Sequence, residues 1–142
     1  MSFTLSAKIL IEIPFFDVDL MQIVWHGHYL KYFELARCKL FNNIDYGYQK
    51  MHESGYYWPI VDMRIKYVKP LRFEQNICVK ASLIEYLNRV KIAYLISDAK
   101  SGEKLTEAYS IQVAVHIETH QMCYESPAIL LQKLGINNII MQ

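Results

Sequence analysis

From Lys8 to Phe16 the chain alternates loosely, with Ile9, Ile11 and Ile13 on one face, which predicts a first strand whose Pro14 marks an edge or terminus. From His28 to about Phe41 the period lengthens, because Leu30, Phe33, Leu35, Ala36, Leu40 and Phe41 recur near helical spacing with Lys31, Glu34, Arg37 and Lys39 between them. This predicts the main helix. A shorter helix is predicted from Asp45, as N-cap, to Glu53, ending at the Ser54-Gly55 break. Four strands follow over Tyr57 to Val68, Gln75 to Leu87, Arg89 to Asp98 and Thr106 to Glu118. These stretches are rich in Val, Ile and Tyr and are punctuated by Lys69-Pro70, Leu87-Asn88 and Lys100-Ser101-Gly102. Ser126 as N-cap and Pro127 at the first helical position open a last short helix, Ala128 to Leu134, which Gly135 ends. One strand, one long helix and four consecutive strands make an α+β fold: an antiparallel sheet of about five strands with a mostly buried helix on its hydrophobic face.

Composition narrows the function classes. The 142 residues fit a single domain over 1–142, with no repeat or linker-like tract. A hydrophobic fraction of 53% and mean hydropathy of +0.06 exceed the need of a lone domain, so part of the surplus is expected between subunits. A formal charge of +1 gives no general attraction to nucleic acid or anionic membrane. Cys38, Cys78 and Cys123 are widely spaced without CxxC partners, and read as reduced structural thiols rather than a disulfide framework or zinc site. Neither a signal peptide nor an apolar run of about 18 residues is visible, so no membrane span and a cytoplasmic location are expected.

The candidate chemistry lies between Phe15 and Arg37. Asp19 precedes the apolar run Ile23-Val24-Trp25, where a carboxylate is costly to bury without partners. Locally it reads equally as a turn or capping residue. His26 stands near the predicted helix start, where unpaired N–H groups and the positive end of the macrodipole favour an oxyanion, although a locally capping histidine fits the same position. Gly27 permits close backbone approach or a tight helix entry. Asp17 shares a face with Asp19 if the strand persists, and is read as a structural electrostatic neighbour. Glu34 and Arg37 have the spacing of an ordinary helix pair. Tyr29, Tyr32, Tyr56, Tyr57 and Trp58 are candidates to line an apolar ligand tunnel, or to fill core and interface. Arg64, Lys66, Lys69, Arg72, Arg89 and Lys91 are candidate phosphate ligands. His116 and His120 read as strand-end surface residues, and no metal site is expected.

Asp17-Val18-Asp19, Ile23-Val24-Trp25-His26, Tyr29 and Tyr32-Phe33-Glu34-x-Ala36-Arg37, with the aromatic cluster Tyr56-Tyr57-Trp58-Pro59, resemble the hotdog-fold acyl-CoA thioesterases. The resembling branch contains 4-hydroxybenzoyl-CoA thioesterase and the Tol-Pal-associated acyl-CoA thioesterases. The resemblance implies a sheet wrapped around the long helix and hydrolysis of acyl-CoA to free acid and CoA. It assigns Asp19 as general base or nucleophile and the His26 backbone N–H as the group that polarises the thioester carbonyl. Trp25, Tyr29 and Trp58 would contact substrate, and Arg89 matches a basic turn that contacts CoA in the family. It further implies a homo-oligomer, a dimer or a homotetramer with sites at subunit interfaces, and no cofactor, CoA being part of the substrate. Leu20-Met21-Gln22 departs from the family pattern of small residues after the second Asp. The alternatives are a non-hydrolytic hotdog protein that binds acyl-CoA or acyl-carrier thioesters, and a hotdog dehydratase.

Overall fold

The computed structural model describes residues 5–136. Five strands, β1 (Ser6–Glu12), β3 (Ile60–Tyr67), β4 (Asn76–Glu85), β5 (Val90–Asp98) and β6 (Lys104–Gln112), form an antiparallel sheet in the order β1-β4-β5-β6-β3. A two-stranded ribbon joins β2 (Tyr56–Tyr57) to β7 (Val115–His116). Helices α1 (Tyr29–Asn43), α2 (Tyr48–Glu53) and α3 (Ala128–Lys133) complete the described chain. None of them is long and apolar enough to cross a membrane.

Strand alternation sorts the two faces of the sheet. Ile77, Val79, Ala81 and Leu83 of β4 and Val90, Ile92, Tyr94 and Ile96 of β5 are buried on one face. Lys80, Ser82, Lys91 and Ala93 point the other way. Helix α1 packs on the buried face against β1 and β4. Its buried stripe is Tyr29, Tyr32, Phe33, Ala36 and Leu40, near the spacing that a helix needs to present one apolar side. The α+β class and the helix-on-sheet packing expected from the sequence are therefore present. Leu30 and Leu35, counted with that stripe by spacing, instead stand about half exposed, and Arg37 takes a buried place.

Element boundaries differ where local chemistry intervenes. The first strand stops at Glu12, and Phe15–Asp17 folds as a single 3-10 turn after Pro14. Asp45 is not the cap of α2: it adopts φ 56° and Gly47 occupies the N-cap. The run from Tyr57 to Val68 breaks at Trp58-Pro59, separating β2 from β3. The run from Thr106 to Glu118 ends its main ladder at Gln112 and resumes only for β7, while β6 starts two residues earlier, at Lys104. Pro127, not Ser126, is the N-cap of α3, and the Ser126 hydroxyl is buried without a hydrogen-bond partner among the described residues. Gly135, at φ 77°, follows the end of that helix as expected.

Candidate functional site

The segment from Asp17 to Trp25 folds back on itself as a short hairpin. Val18 pairs with Val24, the Asp19 N–H donates to the Ile23 carbonyl at 2.9 Å, and the Trp25 N–H donates to the Asp17 carbonyl at 3.2 Å. At the tip, the Gln22 N–H donates to the Asp19 carbonyl at 2.9 Å and the Met21 N–H to Asp19 Oδ1 at 2.8 Å. Gln22 has φ 66°, a left-handed conformation that glycine adopts without strain. Leu20 is fully exposed and Met21 largely so. The departure from small residues at this turn thus projects its bulk into solvent and leaves the hairpin geometry closed.

A second layer holds the hairpin in place. The Val24 N–H donates to the Leu71 carbonyl at 2.8 Å and the Phe73 N–H to the Gln22 carbonyl at 3.2 Å. The chain then enters a 3-10 turn, His26–His28, that runs directly into α1. His26 is the first residue of that continuous helical stretch, so its N–H belongs to the end whose amides lack intrahelical acceptors. The Trp25 ring lies 5.1 Å from that of His26 and 5.4 Å from that of His28. A Cβ at Gly27 would sit 2.2 Å from the Trp25 ring, so the close approach requires glycine.

These elements enclose an open groove of about 420 Å³. Asp19, Ile23, Val24, Trp25, His26 and Tyr29 form one side, and Tyr67, Val68, Lys69 and Pro70 the other. Tyr29 and Tyr67 meet edge to face at 4.9 Å, and the Tyr29 hydroxyl accepts the Leu71 N–H at 3.4 Å. Burial pushes the Tyr29 phenol above its ordinary pKa, so it acts as a neutral hydrogen-bonding group at physiological pH. Four residues singled out from the sequence, Asp19, Trp25, His26 and Tyr29, therefore converge on one surface.

The buried carboxylate is Asp17 rather than Asp19. Asp17 is 2% exposed, whereas Asp19 is exposed. The 3-10 turn preceding the hairpin lets the two acids separate, as a continuous strand would not. Lys31 Nζ donates to both Asp17 oxygens, at 2.7 and 2.8 Å, and the Tyr32 hydroxyl donates to Oδ2 at 2.5 Å. Burial alone would raise the Asp17 pKa, but the Lys31 and Tyr32 hydrogen bonds, with the Lys31 charge, outweigh it and hold the carboxyl below its ordinary value. Sequence spacing gave no signal for this cluster, because its partners lie 14 and 15 positions apart and meet only when the hairpin docks on α1.

Trp58 and Arg89 lie outside the groove. Trp58 is buried, donates its indole N–H to the Tyr46 hydroxyl at 3.2 Å, and lines a separate cavity with Tyr48, Met51, Tyr56 and Tyr57. Arg89 makes two bonds to Glu85 at the β4–β5 turn, at 3.1 and 3.2 Å. Glu34 is bound by Arg37 and by the Tyr48 hydroxyl, as the helix-pair reading anticipated in part. Arg64, Lys66 and Lys91 gather around Tyr109 on the outer sheet face. Of the basic candidates, Lys69 lines the groove, paired with Glu103, and Arg72 bridges to Ile23 in the hairpin. The Tyr67–Pro70 wall was not foreseen, since in sequence it is only a strand end and its punctuation.

Residues 13–133 match the family model described as the Thioesterase-like superfamily. YneP of Bacillus subtilis, provisionally named an acyl-CoA thioesterase, is 33% identical over 84 residues, covering 59% of this chain and 60% of that protein. The chain spans about half to three fifths of the length of the curated relatives it matches. A 1,4-dihydroxy-2-naphthoyl-CoA thioesterase from Synechocystis superposes with a TM-score of 0.80 at 17% identity, covering 92% of this chain and 96% of that one. A 4-hydroxybenzoyl CoA thioesterase complexed with 4-hydroxybenzoyl CoA superposes with a TM-score of 0.77 at 19% identity, covering 91% and 98%. At those identities the likeness establishes the fold, which is the hotdog arrangement.

Proposed function

The chain belongs to the thioesterase-like superfamily, and from that premise we propose that it hydrolyses an acyl-CoA thioester to a free carboxylic acid and CoA. The observation that carries this reading is the convergence of Asp19, His26, Trp25 and Tyr29 on one groove. In the proposed reaction the thioester carbonyl lies at the start of α1, where the His26 N–H and the helix end stabilise charge developing on oxygen. Asp19 acts on the carbonyl carbon, either by taking a proton from attacking water or by direct attack to give a mixed anhydride that water then opens. On both routes the carbon–sulfur bond breaks and the CoA thiolate leaves, to be protonated. The Tyr29–Tyr67 pair supplies an apolar wall for the acyl group, and Lys69 and Arg72 place positive charge beside the groove for the CoA phosphates.

The reading includes a homo-oligomer, a dimer or a homotetramer. β3 is an edge strand, and Ile60 and Val61 at one end and Tyr67 at the other are exposed. Antiparallel pairing of two β3 edges about a twofold axis sets the Tyr67 end of one copy beside the Ile60 end of the other. A second copy's exposed Tyr57 would then adjoin the groove, while Trp58 stays buried within its own chain.

The second reading is a hotdog protein that binds thioesters without cleaving them, favoured by the commitment of Asp19 Oδ1 to the Met21 N–H as an ordinary turn contact. Thiol release from short, medium, long and aromatic acyl-CoAs decides between the two. Hydrolysis predicts turnover that falls by about a hundredfold or more in Asp19→Asn. Turnover retained in that variant refutes the assigned mechanism, and tight binding without cleavage by the wild type establishes the second reading.

A further inference from the structure

The Asp17 cluster has a mechanical place in the site. Asp17 begins the hairpin that carries Asp19 at its tip, and its main-chain carbonyl holds Trp25, the residue immediately before His26. Its side chain is fastened to the first turn of α1 through Lys31 and Tyr32, with His28 Nδ1 at 3.8 Å from Oδ1. One buried residue therefore ties three parts together: the strand leading to Asp19, the strand leading to His26, and the helix that follows. Asp19 reaches the helix through this hairpin, which is also held by its contacts with segment 71–73 and by packing of Val18 and Val24 against the core.

We propose that Asp17 is a positioning residue for thioester hydrolysis: its buried carboxylate, held by Lys31 and Tyr32, docks the hairpin on α1 and so fixes the Asp19 carboxylate relative to the His26 N–H. The proposal rests on the hydrolase reading above. It assigns to Lys31 and Tyr32 a function by which they act through Asp17 and not through substrate. Misplacing two reacting groups by about 1 Å costs rate and not substrate affinity, so the signature is a selective fall in kcat. Because Lys31 and Tyr32 donate to both carboxylate oxygens, an amide at position 17 presents a donor where an acceptor is required.

Three variants test the clamp: Tyr32→Phe, which removes one hydroxyl, Lys31→Met, and the conservative Lys31→Arg. Steady-state kinetics are read beside hydrogen exchange at the Asp19, Val24 and Trp25 amides and at β4 and β5 as internal reference. Tyr32→Phe and Lys31→Met are expected to lower kcat by about tenfold or more with KM changed by less than about twofold, and Lys31→Arg to recover most of the loss. In the first two variants the hairpin amides exchange about tenfold faster while the sheet is unchanged. A kcat within about twofold of wild type in both variants overturns the proposal, as does exchange that is unchanged or accelerated equally in hairpin and sheet. If the wild type cleaves no acyl-CoA, the hydrolase reading falls instead, and the exchange measurement alone decides whether the carboxylate fixes the hairpin.

Discussion

Gln22 donates its backbone N–H to the carbonyl of Asp19 at 2.9 Å while held at φ 66°. The proposed catalytic carboxylate is thus set at the head of a turn whose last residue carries backbone strain. A non-glycine residue in this region costs roughly 1 kcal/mol or more, partly offset on substitution by the greater freedom of glycine in the unfolded chain. Gln22→Gly is expected to stabilise the protein by about 0.5 kcal/mol, raising Tm by a few degrees with thiol-release activity preserved. A lowered Tm in calorimetry would show that the Gln22 side chain contributes more than its strain costs.

Much of the fold is legible in the sequence because burial imposes period. The alternation in β4 and β5 and the stripe Phe33, Ala36 and Leu40 in α1 follow directly from facing one core. The misreadings have local causes. Trp58-Pro59 carries the same β-forming neighbours as the strand it interrupts, and Asp45 looks like a cap but has positive φ and stands two residues before the actual cap, Gly47. In the site, Asp19 and His26 are legible as residue types at meaningful positions. The Asp17–Lys31–Tyr32 cluster and the Tyr67–Pro70 wall are not, since each is made by tertiary docking of segments that carry no shared spacing.

Leu71 joins the core to the site. Its side chain is fully buried, its carbonyl receives the Val24 N–H, and its own N–H is held by the Tyr29 hydroxyl. Leu71→Ala leaves a cavity beneath the groove, with an expected loss of about 2–5 kcal/mol in denaturant unfolding. The neighbouring exposed Arg72→Ala is expected to change stability by less than about 0.5 kcal/mol. Equal effects at the two positions would contradict the buried placement of Leu71.

Acid stability draws on carboxylates held below their ordinary pKa, Asp98 and Asp17 among them. Hydrogen bonds from Gln75 and from the Ser101 and Lys100 amides lower Asp98 to about 2, and Asp17 is also held below the ordinary 3.8. In each case the folded pKa lies below the unfolded one, so the folded state binds fewer protons in this window. The stabilisation is complete above about pH 4 and is lost as pH falls toward 2. Asp98→Asn removes one of these titrations, so its stability is expected to decline less steeply between pH 4 and pH 2, as followed by unfolding at fixed denaturant. A slope unchanged from wild type would mean that Asp98 is not held by its turn in solution.

The edge of the sheet carries the last prediction. Ile60 and Val61 are 41% and 57% exposed on β3, where a strand offers unpaired backbone groups to another copy. Across a twofold axis every substitution appears twice, and in the antiparallel pairing charge at positions 60 and 61 is set against the other copy's Tyr67 end, stranded on apolar surface. Ile60→Asp combined with Val61→Lys is expected to shift sedimentation from an oligomer to the 16.7 kDa protomer. Thiol release is expected to be lost with it, because on the proposed pairing the groove then lacks the wall that a second copy's exposed Tyr57 would supply. Circular dichroism distinguishes dissociation from unfolding, since neither side chain is in the buried core. A wild type that sediments as a protomer and still hydrolyses acyl-CoA would show that the Asp19–His26 groove is complete within one chain.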